Sequence, residues 1–396
     1  MIASLNDEGV WRIMGSEESG RRKTRVKRKR RRLKKSVRRF LFAIFMIVLC
    51  LFFYNNNKNG KTVTNGVGTR QTELEGKKEI KTEEASITIS AAGDFTLGTD
   101  ENFAYTDSFP DEASTNGLPY FVKELGDIFK EDDLSTVNLE TTLTNATQRT
   151  EKRFSFKGDP SYAEILEIAG IESVNLANNH TFDYLQKGYD DTLAALQNHK
   201  IGFFGYETQY VTTIKGVKLG ALGYQGWEDT PELRSIIEED IEELREQDVS
   251  IILVHFHWGT EKSYMPNDTQ QSLARFAIDS GADLILGHHP HVVQGIEEYN
   301  DKFIVYSLGN FMFGGHSNPS DKDTFVFQQT FQLKNGELSN RKELKIVPFS
   351  ISSVTSRNNY QPKRLHGFEA ERVKKKIIDL SNQINGSDWV EYEASQ

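Results

Sequence analysis

An α/β fold is predicted for most of this 396-residue chain by three observations. Beyond Ser86, runs with strand character alternate with runs of helical periodicity, the order from which layered α/β domains are built. Three of the strand-like runs lead straight into polar ligand-type residues: 173–177 into Asn178-Asn179-His180, 250–254 into His255-Phe256-His257, and 282–286 into Gly287-His288-His289-Pro290-His291. Six of the nine histidines lie in those segments, and ligands of open α/β sheets collect at the carboxyl ends of strands, so one shared crevice is predicted.

The N-terminal part has a different character. Residues 1–39 hold 15 Lys or Arg against 4 Asp or Glu, which leaves a charge of -20 on the other residues of a chain whose total is -9. Between Arg21 and Arg39 every charge is positive, and residues 40–54 are then wholly apolar. This pattern predicts one N-terminal transmembrane helix acting as a signal anchor. Fifteen residues reach only about 22 Å, less than the roughly 30 Å hydrocarbon core, so Arg38 and Arg39 must snorkel or the bilayer must thin. The positive-inside rule puts residues 1–39 in the cytoplasm and the main domain outside a cell membrane, with Tyr54 at the far interface. No small-x-small site follows the apolar run, which argues against a cleaved leader. Because the basic run abuts the apolar one, residues 21–39 are read as contacting anionic lipids, with no nucleic acid as partner. Residues 55–85, rich in Asn, Gly, Thr, Lys and Glu, read as a tether about 30 Å long on average.

Residues 86–396 form the expected folded body. Residues 86–90 alternate as a strand and end in Gly93-Asp94, and residues 134–137 run into Asn138-Leu139-Glu140. Helical patterns occupy 162–169, 186–198, 231–246 and 268–280. Residues 211–224, with Lys215-Gly216 as the turn, predict a hairpin and therefore a mixed sheet. Strands at 325–333 and 344–350 follow with no helix between them, and a last helix is expected over 368–384. Neither an internal repeat nor a second domain boundary is evident in the body. The single cysteine, Cys50, lies in the apolar segment, so the body has no disulfide and is held by its core alone.

Two carboxylates, an amide and several imidazoles at strand ends suit Zn, Mn, Fe or Co, whereas imidazole argues against Ca and bare Mg. Blander readings stand beside this one. A histidine bonded to backbone in a core is commoner than a ligand, which applies first to His255 and His288. Asp94, Asn138 and Asn310 could each serve a turn, and Trp258 could be core or pocket wall. Lys157 could meet an anionic ligand or be an exposed strand charge. No Ser or Cys nucleophile motif is present.

Taken in order, Gly93-Asp94, Asn138-Leu139-Glu140, Asn178-Asn179-His180, His257-Trp258-Gly259-Thr260-Glu261, Gly287-His288-His289-Pro290-His291 and Leu308-Gly309-Asn310-Phe311 resemble the CapA family of capsule-biosynthesis proteins. That resemblance implies a four-layer α-β-β-α sandwich of metallophosphoesterase type with a divalent-metal site, Mn, Zn or Fe. It implies Asp94, Glu140, Asn179, His257, His289 and His291 as metal ligands, Glu140 bridging, and His180 as the acid beside them. Asp183 or Glu261 would orient an imidazole. Thr96 and Thr181 stand where that fold type has a histidine and a carboxylate, so two metals, one or none remain open.

In function the resemblance implies a part in making or exporting poly-γ-glutamate, with synthase membrane subunits and the polyanionic polymer or its precursor as partners. The role would be a metal-dependent hydrolase or transferase, or a non-catalytic accessory or scaffold subunit; hydrolysis of another surface phosphoester or amide is a third reading. An acidic body repels a polyanion, so a basic patch of Arg149, Lys152, Arg153 and Lys157 is the expected contact, with Arg153 and Lys157 as its anion-binding residues.

Overall fold

The computed structural model describes residues 84–385 together with Ser4–Leu5 and Trp11–Arg12, which pair antiparallel within a separate N-terminal unit. The basic tail apart from those four residues, the anchor over 40–54 and residues 55–83 of the tether lie outside the described residues. Among the described residues no helix is long and apolar enough to cross a membrane.

The body is a mixed α/β fold in which six α-helices cover two main sheets. Its first strand, β1 (Glu84–Thr96), begins inside the predicted tether because Ala85 and Glu84 continue a ladder opposite Leu333 and Lys334. After β2 (Thr99–Asp100) comes a helix that hydrophobic periodicity alone misses, α1 (Phe109–Asn116), with Ser108 as N-cap and a proline in its first turn. Next are β3 (Leu134–Leu139), β4 (Thr142–Leu143), β5 (Phe156–Gly158), α2 (Ala163–Ala169), β6 (Ser173–Asn175), α3 (Leu185–Asn198) and β7 (Gly202–Phe204). The predicted hairpin is β8 (Tyr210–Ile214) with β9 (Val217–Gly226). There follow α4 (Pro231–Glu246), β10 (Ile251–Trp258), α5 (Asp268–Asp279) and β11 (Leu284–His288). A second, unpredicted hairpin is β12 (Ile296–Tyr299) with β13 (Lys302–Val305), whose turn residues Asn300 and Asp301 both have positive φ. The chain ends in β14 (Asn310–Phe313), β15 (Asp323–Lys334), β16 (Glu337–Ser350), β17 (Lys363–Arg364) and α6 (Gly367–Asn385).

One sheet has the order β17-β16-β15-β1-β3-β6-β7, with β14 also pairing β1. The other is β8-β9-β10-β11-β13-β12, and β2, β5 and β4 form a small third sheet. A strand's side chains alternate between faces, and the cores follow that alternation. On β10, Ile251 and Leu253 join Ile87, Ile89 and Ala91 of β1 in the core between the two main sheets, whereas Ile252, Val254 and Phe256 pack under Ile237 and Ile241 of α4 and Leu273 of α5. On the first sheet, Val137 and Leu139 of β3 face outward onto Phe109 of α1, Leu166 of α2 and Leu196 of α3.

Candidate metal centre

That alternation decides where the polar residues go. His255 and His257 share the parity of Ile251 and Leu253, Asn138 shares that of Leu134, and His288 that of Leu284 and Leu286, so all four point between the sheets. Asp94 reaches the same face through an irregular register between β1 and β3 near Gly93. A side chain at 93 is impossible there, since a Cβ would lie 1.9 Å from the Gly309 carbonyl oxygen that accepts the Asp94 amide at 2.9 Å.

Two groups of ligand atoms, each within 4.8 Å of one another, share one residue: Asp94, Glu140 and His291, and Glu140, His257 and His289. His257 Nε2 is 3.4 Å from Glu140 Oε1 and 2.8 Å from Asn179 Oδ1, which brings the predicted amide to the second group. His291 Nδ1 lies 3.2 Å from Asp94 Oδ2, with its Nε2 3.9 Å from Glu140 Oε1. Both Glu140 oxygens, Asp94 Oδ2 and His289 Nδ1 are buried without a hydrogen-bond partner. Orphaned buried acceptors are costly, and their convergence is what a divalent cation would satisfy. His289 and His291 also hold positive φ, 96° and 58°, a strained backbone of the kind found at functional sites.

Around these groups runs a polar support. Asn138 donates through Nδ2 to Asp94 Oδ1 at 2.8 Å and to His257 Nδ1 at 3.3 Å, and its own Oδ1 accepts from Asn175 and Asn178 at 2.9 and 3.2 Å. Asn310 Oδ1 sits 2.9 Å from His291 Nδ1. Neither asparagine is merely a turn residue. His255 and His288 join neither ligand group. They stack on each other, with His255 Nδ1 2.9 Å from His288 Nε2 and His255 Nε2 3.2 Å from Thr136 Oγ1, while His288 Nδ1 comes within 3.5 Å of Asp94 Oδ1 without a hydrogen bond. Trp258 faces the helices and donates to the Tyr306 carbonyl at 2.9 Å, the core role.

Electrostatics divide the ligands. Burial works to raise the Asp94 carboxyl, but the imidazoles of His288 and His291 outweigh it and hold it well below the usual range. Glu140 goes the other way, pushed well up by burial and then by the charge of Asp94. Burial opposes charge on His291 as well, yet Glu140 and Asp94 lift it to about 10. His289 is pulled down to about 3 by burial and by His291, and His257 falls well below its ordinary value mainly through burial.

His180 faces the cluster with Nε2, 3.9 Å from Glu140 Oε1, while its Nδ1 is 2.7 Å from Asp183 Oδ2. Asp183 is completely buried, accepts the Phe156 amide at 2.5 Å and is ion-paired to Lys152, which also donates to the Asn179 carbonyl at 2.8 Å. Of the two acids expected to orient an imidazole, Asp183 therefore holds His180. Glu261, exposed on the loop after β10, makes no hydrogen bond or ion pair among the described residues and reaches the centre only as a charge acting on Glu140 and His291. Lys157 donates to the Ala146 carbonyl at 3.1 Å and lies 4.8 Å from the centre of the Tyr184 ring, whereas exposed Arg153 lies over Phe154. The roles of buried Asn175 and of Lys152, Tyr206 and Trp227 at the rim are not legible in the sequence, because their partners lie 27 residues or more away or on the other sheet.

Fold and site together define a layered α/β protein with a candidate divalent-metal centre between its two sheets. The chain belongs to the bacterial capsule synthesis protein PGA_cap family, whose model matches residues 88–315, more than half its length. It is 29% identical over 292 residues to the PGA biosynthesis protein CapA of Bacillus subtilis (strain 168), covering 68% of this chain and 73% of that one. With the capsule biosynthesis protein CapA of Bacillus anthracis it shares 26% identity over 257 residues, 58% of this chain and 61% of the other. A Mycobacterium tuberculosis (strain ATCC 25618 / H37Rv) protein, named as a polyglutamine synthesis accessory protein, is 24% identical over 261 residues, 56% of this chain and 67% of that protein. The family read from six short motifs is thus borne out.

Proposed function

We propose that the chain is a metal-dependent component of poly-γ-glutamate synthesis or export, its body of metallophosphoesterase type held outside a cell membrane by residues 40–54. The observation that carries the site reading is Glu140: both oxygens are buried and without a hydrogen bond where the two ligand groups meet. An uncompensated carboxylate there costs several kcal/mol, which a shared cation would offset. Asp94, Glu140 and His291 would hold one ion, and Glu140, His257 and His289, with Asn179, a second. Mixed oxygen and imidazole donors favour Mn, Zn or Fe. When bound, such a metal supplies an activated water and polarises a phosphoryl or acyl oxygen.

The chain's own residues supply the proton path. Asp183 accepts from Nδ1 of His180, which leaves Nε2 facing the cluster to carry a proton to a leaving oxygen. Burial lowers His180 in spite of Asp183, so Nε2 starts as a lone pair that would accept a proton from the attacking water and pass it to the leaving oxygen. The polymer assignment is supported by the names of the Bacillus relatives, and the synthase membrane subunits are the partners it implies. A non-catalytic accessory role is the second reading, favoured by the name of the mycobacterial relative.

The test compares metal content of full-length wild type, Glu140→Gln and His289→Ala by mass spectrometry, with thermal unfolding as a check on folding and polymer yield in cells as the readout. Folded variants should lose at least half of the metal and most of the polymer. Loss of metal with full polymer yield would select the accessory reading. Metal-free wild type after resupply with Mn, Zn and Fe would sink the metal centre.

A further inference from the structure

One side of the metal centre is aromatic, and nothing in the chemistry above uses it. Trp227, the residue after β9, is 42% exposed, yet its ring meets His289 edge to face at 4.7 Å and His257 at 5.7 Å. Its Nε1 donates to Gln225 Oε1 at 3.2 Å, Gln225 Nε2 donates to Tyr206 Oη at 3.1 Å, and Tyr206 Oη donates to the Asn178 carbonyl at 2.9 Å. Phe182, two residues after His180, continues the line with its ring 5.4 Å from that of Tyr206. Phe182 and Tyr206 are each 37% exposed.

Exposed aromatics scattered singly mean little, but Phe182 and Tyr206 in ring contact, tied to Trp227 through the Gln225 amide, forgo burial worth about 25 cal/mol per Å² and mark a contact surface. Tyr206 is presented with positive φ, 54°, from a turn closed by the Gly205–Thr208 bridge, a strained backbone for a bulky residue. The hydrogen bonds tie up the polar atoms of Trp227 and Tyr206, so the row offers ring surface and little else. Ring faces carry negative potential, which suits the C–H face of a sugar or a nucleobase and not a string of carboxylates. The poly-γ-glutamate chain therefore does not account for this surface.

We propose that Trp227, Tyr206 and Phe182 form a ring-stacking subsite, and that the centre takes a phosphoester carrying a sugar or nucleobase ring. This rests on the reading of the cluster as a metal centre that accepts a phosphoryl group. Calorimetric titration of the full-length, metal-loaded protein with methyl phosphate, glucosyl phosphate and adenosine monophosphate separates the two ideas. At least one ring-bearing probe should bind roughly tenfold tighter than methyl phosphate, the size of one stacked ring, and which one identifies the ring. Trp227→Ser should abolish that preference and Trp227→Phe should keep most of it. Equal binding of all three probes, or a preference that survives Trp227→Ser, would overturn the subsite while leaving the metal centre intact. Binding of none of them would overturn the phosphoryl-accepting centre and the subsite with it.

Discussion

At the scale of single residues the centre is a problem of charge in a dry place. Glu140 is pushed up by burial and Asp94, while His291 is lifted to about 10 by Glu140 and Asp94 against its own burial, so His291 holds a proton near neutral pH when no cation is present. Ligands must shed protons to bind a metal, so uptake should release protons and affinity should rise with pH. Titration in buffers of different ionisation enthalpy should show that release, and an affinity that is flat between about pH 6 and 8 would contradict it. Strand ends mark the region of Asp94, Glu140, Asn179, His257, His289 and His291, the family resemblance singles out those six, and the structure brings them together. What lay beyond reading was their support. Asn175 bonds Asn138 from a neighbouring strand, and Lys152 reaches back to Asp183 from a loop that no periodicity marks.

At the scale of elements, burial and pairing decide what periodicity leaves open. The helices α2, α3, α4, α5 and α6 were readable to within a residue or two because each carries an apolar stripe, whereas eight-residue α1 buries only Phe109, Glu112 and Ala113 and shows no stripe. The last helix docks by a mixture of forces: Val373 and Ile377 enter the inter-sheet core, and Arg372 and Lys376 converge on Asp323 of β15 at 2.6 and 3.0 Å. Burial works to raise the Asp323 carboxyl, but Arg372 and Lys376 outweigh it and hold it below its ordinary value. A depressed carboxyl contributes stability that is complete above the unfolded value and lost as pH falls through the folded one. Asp323→Asn should therefore cost about 1 kcal/mol at neutral pH, discounted for the half-exposed Arg372, and nothing once pH is well below about 4. Chemical denaturation of both proteins at the two pH values checks this, and a loss that persists in acid would mean that packing, not charge, holds α6.

At the scale of the whole molecule, the net charge of -9 conceals a basic N-terminal segment and an acidic remainder, so any polyanion must be met locally. Within the expected patch, Arg149 is paired with Asp100 and Glu101, Lys152 with Asp183, and Lys157 is engaged by Ala146 and Tyr184. Arg153→Ala should accordingly weaken poly-γ-glutamate binding at low salt more than Lys157→Ala does, with the difference vanishing as the screening length drops below about 8 Å. Binding measured by sedimentation at two ionic strengths tests it; equal effects, or none, would discard the patch. The sequence by itself determined the α/β class and, through six short motifs, the family whose resemblance implies the candidate ligands, because strand alternation and residues at strand ends are local patterns. Only the tertiary structure decided that Glu140 stands between two ligand groups, that His255 and His288 support Asp94 without joining either, and that Asp183 rather than Glu261 holds His180. Those outcomes depend on two sheets meeting face to face, a contact between strands far apart in the chain, such as that of Asp94 on β1 with His288 on β11, that no local pattern encodes.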